Sequence, residues 1–361
     1  MFKGNRLHGW HGGRIVASLV MLTAATISKG EDISWVEDFV DDPVIAGRFE
    51  VPVGHDASRF DYDNGGPLLT IHYNTSEPTA WYLRPIDANQ PRTLGRCEDF
   101  EFTVTFRIKS MGFIADPASF AQIGWGLINS QTTGEDRVGG SLNGPYAFDS
   151  VTLDYYPNVT SFGGPTLGAT IWHSDVGDDY FSSFDFPFGP ESDINTAFGD
   201  EPPALDTVYT AGVTYDSGAQ TATQTVQGTS SFLGINTDGG GGAGGPDSDA
   251  ATIQTALFVN TPFTVDTFAL TAWEDTYDFD PQTPSVVADV DVMEITFFAR
   301  TLVKGDMNRD GRVDGADIAM FVDTLLAAQP APCAVQRADF TNDAAATTDD
   351  IPDFEAALLA P

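Results

Sequence analysis

Basic residues are scarce in this chain: 17 Lys and Arg stand against 52 Asp and Glu, a formal net charge of −35. Such a surface repels phosphate backbones, which are recognised by clustered Lys and Arg, and this argues against nucleic acid as a partner. Anionic membrane surfaces are disfavoured for the same reason. Cysteine is scarcer still. Cys97 and Cys333 are the whole complement, too few for a disulfide scaffold or a cysteine-based zinc site. In an oxidising compartment they either pair, tying distant parts of the chain together, or remain two thiols. The histidines are His8, His11, His55, His72 and His173. No His-Glu-x-x-His zinc pattern and no Gly-x-Ser-x-Gly nucleophile elbow occurs. Beyond the N-terminal region no eighteen consecutive residues are apolar, so no other membrane span is expected.

What is present begins with an export signature. Lys3, Arg6 and Arg14 precede an apolar run from Ile15 to Ile27, and Ser28 and Gly30 supply a small-residue exit before Glu31. That order reads as a secretory signal over residues 1–30, with a retained N-terminal anchor as the competing reading. The mature chain is expected outside the cell or on its surface, without a transmembrane segment. The excess of carboxylates suits either a divalent cation such as calcium or simple solubility.

From residue 31 to residue 299 the text is strand-like. Leu68–Tyr73, Trp81–Ile86, Phe100–Ile108, Val151–Tyr156, Val208–Tyr215, Phe268–Trp273 and Val290–Phe298 are rich in β-branched and aromatic residues. In Phe100–Ile108 every second residue is apolar, the period of an antiparallel strand with one wet face. No long amphipathic helical pattern appears before residue 305. The spacing predicts a mainly β, two-sheet antiparallel sandwich or jelly roll. Asp175–Pro203, acidic and aromatic, and the glycine run 239–245 read as a long surface loop and a flexible connection. The stretch Val208–Asp216 followed by Thr221–Gly228, with the late pair Asp266–Ala272 and Ala288–Phe297, resembles the strand pattern of concanavalin/laminin-G-like sandwiches.

Residues 305–361 carry a sharper signal. Asp306, Asn308, Asp310, Asp314 and Asp317 occupy positions 1, 3, 5, 9 and 12 of a twelve-residue loop, with Gly311 at the turn and Val313 packing inward. The Arg312 carbonyl serves position 7, and Asp314 acts through water. Ca2+ takes six to eight oxygens, and this is EF-hand spacing. A helix follows, with Ile318, Phe321, Val322, Leu325 and Leu326 on one face. Thirty-three residues on, Asp339, Thr341, Asp343 and Asp350 repeat positions 1, 3, 5 and 12, before a second helix bearing Phe354, Leu358 and Leu359. The duplication resembles a type I dockerin, a two-loop calcium module, and the resemblance implies docking to a cohesin-like or other extracellular protein. The second loop departs from the family pattern at Ala344, Ala346 and Thr347. Alanine at a turn requiring positive φ costs about 1 kcal/mol or more.

Catalysis is not signalled. The nearest carboxylate groups are Asp289, Asp291 and Glu294, and Glu274 with Asp275 beside Trp273. Glu294 points away from the other two unless a bulge intervenes. Trp81, Tyr82, Trp125, Tyr155, Tyr156, Trp172 and Trp273 are aromatic candidates for stacking on sugars, and none is nominated over a core role. The resulting expectation is a secreted, non-catalytic sandwich that binds polysaccharide or a cell-surface partner and carries a calcium-dependent docking module. The alternative is a glycoside hydrolase borne by the same module.

Overall fold

Alternation in the sequence becomes two faces in space. The protein's structure, a computed structural model, describes residues 32–62, 66–74, 77, 80–113, 123–130, 150–156, 166–172, 206, 208–219, 221–228, 257–258, 263–272 and 286–360. Strands are numbered in chain order. The larger sheet runs β12 (Leu257–Phe258), β11 (Thr221–Gly228), β10 (Val208–Asp216), β6 (Asp99–Phe113), β15 (Val286–Arg300), β3 (Leu69–Asn74), β2 (Phe60–Tyr62), with β1 (Ile33–Glu37) also on β15. The second sheet runs β4 (Ala80–Pro85), β14 (Thr267–Ala272), β7 (Ile123–Ile128), β8 (Ser150–Tyr156), β9 (Thr166–Trp172). Two short strands, β5 (Leu94–Gly95) and β13 (Thr264–Val265), form a separate pair. Neighbours pair antiparallel throughout the described strands. The fold is a mainly β antiparallel sandwich, as the alternation predicts.

Its core lies between the sheets. Phe102, Val104, Phe106 and Ile108 of β6 are buried, while Glu101 and Lys109 face water. Ring contacts join the layers: Phe106 lies 4.6 Å from Trp125 and Phe102 5.7 Å from Phe268, centroid to centroid. Trp81, Tyr82 and Trp125 are buried, so these sugar-stacking candidates belong to the packing. Tyr155 and Tyr156 lie on β8 and Trp172 on β9. Trp273, Glu274, Asp275, the signal segment, the Asp175–Pro203 stretch and the glycine run lie outside the described residues.

Glu37 closes the N-terminal strand onto the second sheet. Its fully buried carboxylate accepts from Arg48 Nε at 2.7 Å and from Arg84 Nη1 at 3.0 Å. The Arg84 guanidinium sits 3.9 Å above the Trp35 ring, where burial pulls its pKa down.

Beyond β15 the chain enters a small helical module: α1 (Ile318–Leu326), α2 (Pro332–Ala338) and α3 (Ile351–Leu358). Met307, Phe321, Ala338 and Phe354 form its core, with Val313, Leu325, Phe340, Ala346, Ile351 and Leu358 packed around them. Phe321 and Phe354 come from equivalent places in the two repeats and stack at 3.9 Å. The apolar face expected on α1 divides. Phe321 and Leu325 turn inward, whereas Ile318, Val322 and Leu326 are 45%, 42% and 79% exposed.

The two cysteines pair. Cys97, just before β6, is bonded to Cys333 on α2, with Cα atoms 5.2 Å apart. Arg337, one turn further along α2, donates from Nη2 to the Cys97 carbonyl at 3.0 Å and to Ser217 Oγ at 3.2 Å. Among the described residues no helix is long and apolar enough to cross a membrane.

Candidate metal centre

Each expected loop closes on its own carboxylates. In the first, Asp306 Oδ1 accepts the Asp310 N–H at 3.1 Å and Oδ2 that of Gly311 at 2.9 Å. Asp317 reaches back across the loop: Oδ1 accepts from Met307 and Asn308 at 2.7 and 3.0 Å, and Oδ2 from Asp314 at 2.8 Å. Arg312 N–H donates to Asp310 Oδ1 at 3.0 Å, and Ala316 N–H to Asp314 Oδ1 at 2.8 Å. These bonds bend a short segment so that its backbone donors are satisfied from within.

The second loop repeats this frame bond for bond. Asp339 Oδ1 and Oδ2 accept from Asp343 and Ala344 at 3.1 and 3.0 Å. Asp350 Oδ1 accepts from Phe340 and Thr341 at 2.7 and 2.9 Å, and Oδ2 from Thr347 at 2.8 Å. Ala345 N–H donates to Asp343 Oδ1 at 3.0 Å, and Asp349 N–H to Thr347 Oγ1 at 3.2 Å. Every one of these donor–acceptor pairs lies thirty-three residues from its partner in the first loop.

The backbone repeats too. Position 6 has φ 85° at Gly311 and 65° at Ala344, and position 4 has φ 64° at Arg309 and 60° at Asn342. Ala344 therefore adopts the left-handed conformation that is costly for a residue bearing a Cβ. The left-handed kink at position 4 is not legible in the sequence, because Arg309 gives no hint of it. Thr347 takes over the local hydrogen bond that Asp314 makes, without a charge.

The chemistry of the donors suits a hard cation. Asp306 and Asp317 are 3% and 0% exposed. Burial pushes the Asp306 carboxyl up, and the nearby Asp317 charge adds to that. Two buried carboxylates in one small loop are an arrangement that a divalent cation relieves. In the second loop burial raises Asp350, but hydrogen bonds from Thr347, Thr341 and Phe340 outweigh it and hold the carboxyl below its usual range. Among the described residues, however, no three His, Cys, Asp or Glu groups are gathered at metal-holding distance. The carboxylates point at their own backbone amides. The residues that would hold a cation are Asp306, Asn308, Asp310, the Arg312 carbonyl and Asp317 in the first loop, and Asp339, Thr341, Asp343 and Asp350 in the second.

The sandwich's carboxylate group is engaged differently. A register shift on β15 between Val292 and Glu294 supplies the bulge that the sequence left open. It turns Glu294 to the outer face of the sheet, away from the core, on which Asp289 and Asp291 also lie. Asp291 is fully buried, bonded to Thr70 Oγ1 at 2.7 Å and to Arg107 at 2.8 Å. Asp289 accepts from Ser110 at 2.8 Å and meets His72 Nδ1 at 2.7 Å. Both carboxylates are committed to partners that knit β3, β6 and β15 together.

No family model matches the chain, and no curated protein matches it. Among solved structures the chain is similar to peanut lectin with a 9mer peptide, at 15% identity and TM-score 0.38, covering 75% of this chain and 98% of that one. Basic winged bean lectin with Tn-antigen stands at 15% and 0.40, covering 74% and 98%. The metal-free form of lectin I-B4 from Griffonia simplicifolia stands at 11% and 0.37, covering 74% and 100%. The architecture assigned above rests on this chain's own sheets and pairings.

Proposed function

We propose that this chain is an exported protein whose C-terminal region, about residues 305–361, is a dockerin-like calcium module that docks a cohesin-like or other extracellular protein. Residues 31–299 form a non-catalytic sandwich beside it. One observation carries the reading: two loops thirty-three residues apart share a single hydrogen-bond frame, with oxygen-bearing side chains at the same positions in both. A turn rich in Asp and Asn needs no such duplication. The exposed Ile318, Val322 and Leu326 stripe on α1 supplies an apolar docking face. Export is supported by the basic-then-apolar N-terminus and by the disulfide, which belongs to oxidising compartments.

Calorimetric titration of Ca2+ into the chelator-treated full chain tests the module. Saturable heat that is lost in part by Asp306→Ala and in full by Asp306→Ala with Asp339→Ala supports it. No heat in the unaltered chain ends it. For the sandwich, the resemblance to concanavalin-like folds makes polysaccharide the ligand class to examine. Retarded migration in a polysaccharide affinity gel without release of reducing sugar is the expected result, and released sugar would favour the hydrolase.

A further inference from the structure

The two loops share a frame but not an environment. Arg309, at position 4 of the first loop, aims its Nη1 at the sandwich, 2.7 Å from Asp216 Oδ1 and 3.3 Å from Asp99 Oδ1. Asp99 Oδ1, at the start of β6, also accepts the Ser217 N–H at 2.8 Å and so holds the turn that follows β10. From the end of β15, Arg300 donates to the Arg309 carbonyl at 3.1 Å. Gly218 leaves room for the guanidinium: a Cβ there would lie 2.2 Å from the Arg309 Cζ. The same corner holds Arg337 and the Cys97–Cys333 disulfide, whose residues are 3% and 5% exposed. Among the described residues the second loop shows no such clasp at its position 4, where Asn342 Oδ1 instead accepts from Lys304 Nζ at 2.6 Å.

Arg309 lies between Asn308 and Asp310, both donors in the calcium reading, and its backbone is left-handed at φ 64°. That conformation is unfavourable for a non-glycine residue and persists only where its surroundings enforce it. A cation held by residues 308 and 310 would add to the hydrogen bonds from the Asp310 N–H to Asp306 and Asn308 that hold it now. Without one, the charge of the buried Asp306 and Asp317 is offset by backbone amides instead.

We propose that cation binding in the first loop is coupled to the joint between module and sandwich: a filled loop fixes Arg309 on Asp99 and Asp216 and so closes the corner over the Cys97–Cys333 disulfide. This rests on the calcium reading of the Asp306–Asp317 loop. The module is then a fixed second lobe whose attachment responds to the cation. The coupling runs both ways, since whatever stabilises the clasp also favours the filled loop.

The test is the rate at which a dithiol reduces Cys97–Cys333 in the full chain, followed by alkylation and mass spectrometry, with Ca2+ or with chelator. Binding heat is measured in parallel. Calcium is expected to slow reduction about fivefold or more, the lower end of usual coupling strengths. Arg309→Ala removes the guanidinium, and Gly218→Ala displaces it from the sandwich side without touching the loop. Both variants are expected to retain binding heat and lose the slowing. Heat without slowing in the unaltered chain overturns the coupling and leaves the calcium reading intact, as does slowing that survives both variants. Absence of heat overturns the calcium reading and the coupling with it.

Discussion

Two residues show how far burial decides a side chain's worth. Glu37 is a fully buried acid that binds two arginines, and Arg84 among them is nearly buried itself. Removing one partner of such a group leaves an uncompensated charge in a low dielectric. Glu37→Ala should lower unfolding free energy by about 3–5 kcal/mol, read from denaturant midpoints of the full chain. Asp289 sits on the wet face. Burial pushes its carboxyl up, but hydrogen bonds from His72 and Ser110 reverse this, so the folded value lies below the ordinary one. Its contribution is therefore complete above the usual carboxylate pKa and fades as pH falls through the lowered value. Asp289→Asn should flatten the acid limb of stability against pH, while stability near neutrality falls.

At the scale of elements, the legible parts were those that carried their own periodicity. Alternation in Phe100–Ile108 named both the strand and its buried face, because one wet side forces polar residues to every second place. Strands such as β7, rich in glycine, carried no such pattern, and α2 is too short and too proline-marked to be read as a helix. That matters, since α2 bears Cys333 and Arg337 and makes the joint to the sandwich. The loops were legible because ligand spacing and hydrogen-bond spacing coincide: the same Asp306, Asp310 and Asp317 that would face a cation also satisfy the turn. Ala344 was legible as a departure, and it sits at φ 65°. Ala344→Gly should relieve that strain, stabilising the second loop by about 1 kcal/mol. Thermal unfolding of the module, followed by helix content, should shift upward accordingly. An unchanged or lowered midpoint would mean the surroundings already absorb the cost.

For the molecule as a whole, what could not be read was how the parts meet. Nothing in the spacing of Cys97 and Cys333 distinguished a bond from two thiols. Arg309 has no mark in the sequence that separates it from an ordinary loop residue, yet Asp99 and Asp216 stand opposite it. Contacts between distant segments leave no local pattern, because each partner is chosen for a surface that only the fold creates. The sandwich's fold class was open to the sequence for the opposite reason: a two-sheet core imposes its period along every strand. A binding surface leaves no comparable trace, since such groups are gathered from separate loops whose residues obey no shared spacing.

The most direct test of the central claim is anomalous diffraction from crystals of the full chain grown with Ca2+. Anomalous density is expected among Asp306, Asn308, Asp310 and Asp317, with the carboxylates turned inward from the amides they now face. A second, weaker peak is expected among Asp339, Thr341, Asp343 and Asp350. Loops that keep their present hydrogen bonds and hold no anomalous scatterer at saturating calcium would contradict it.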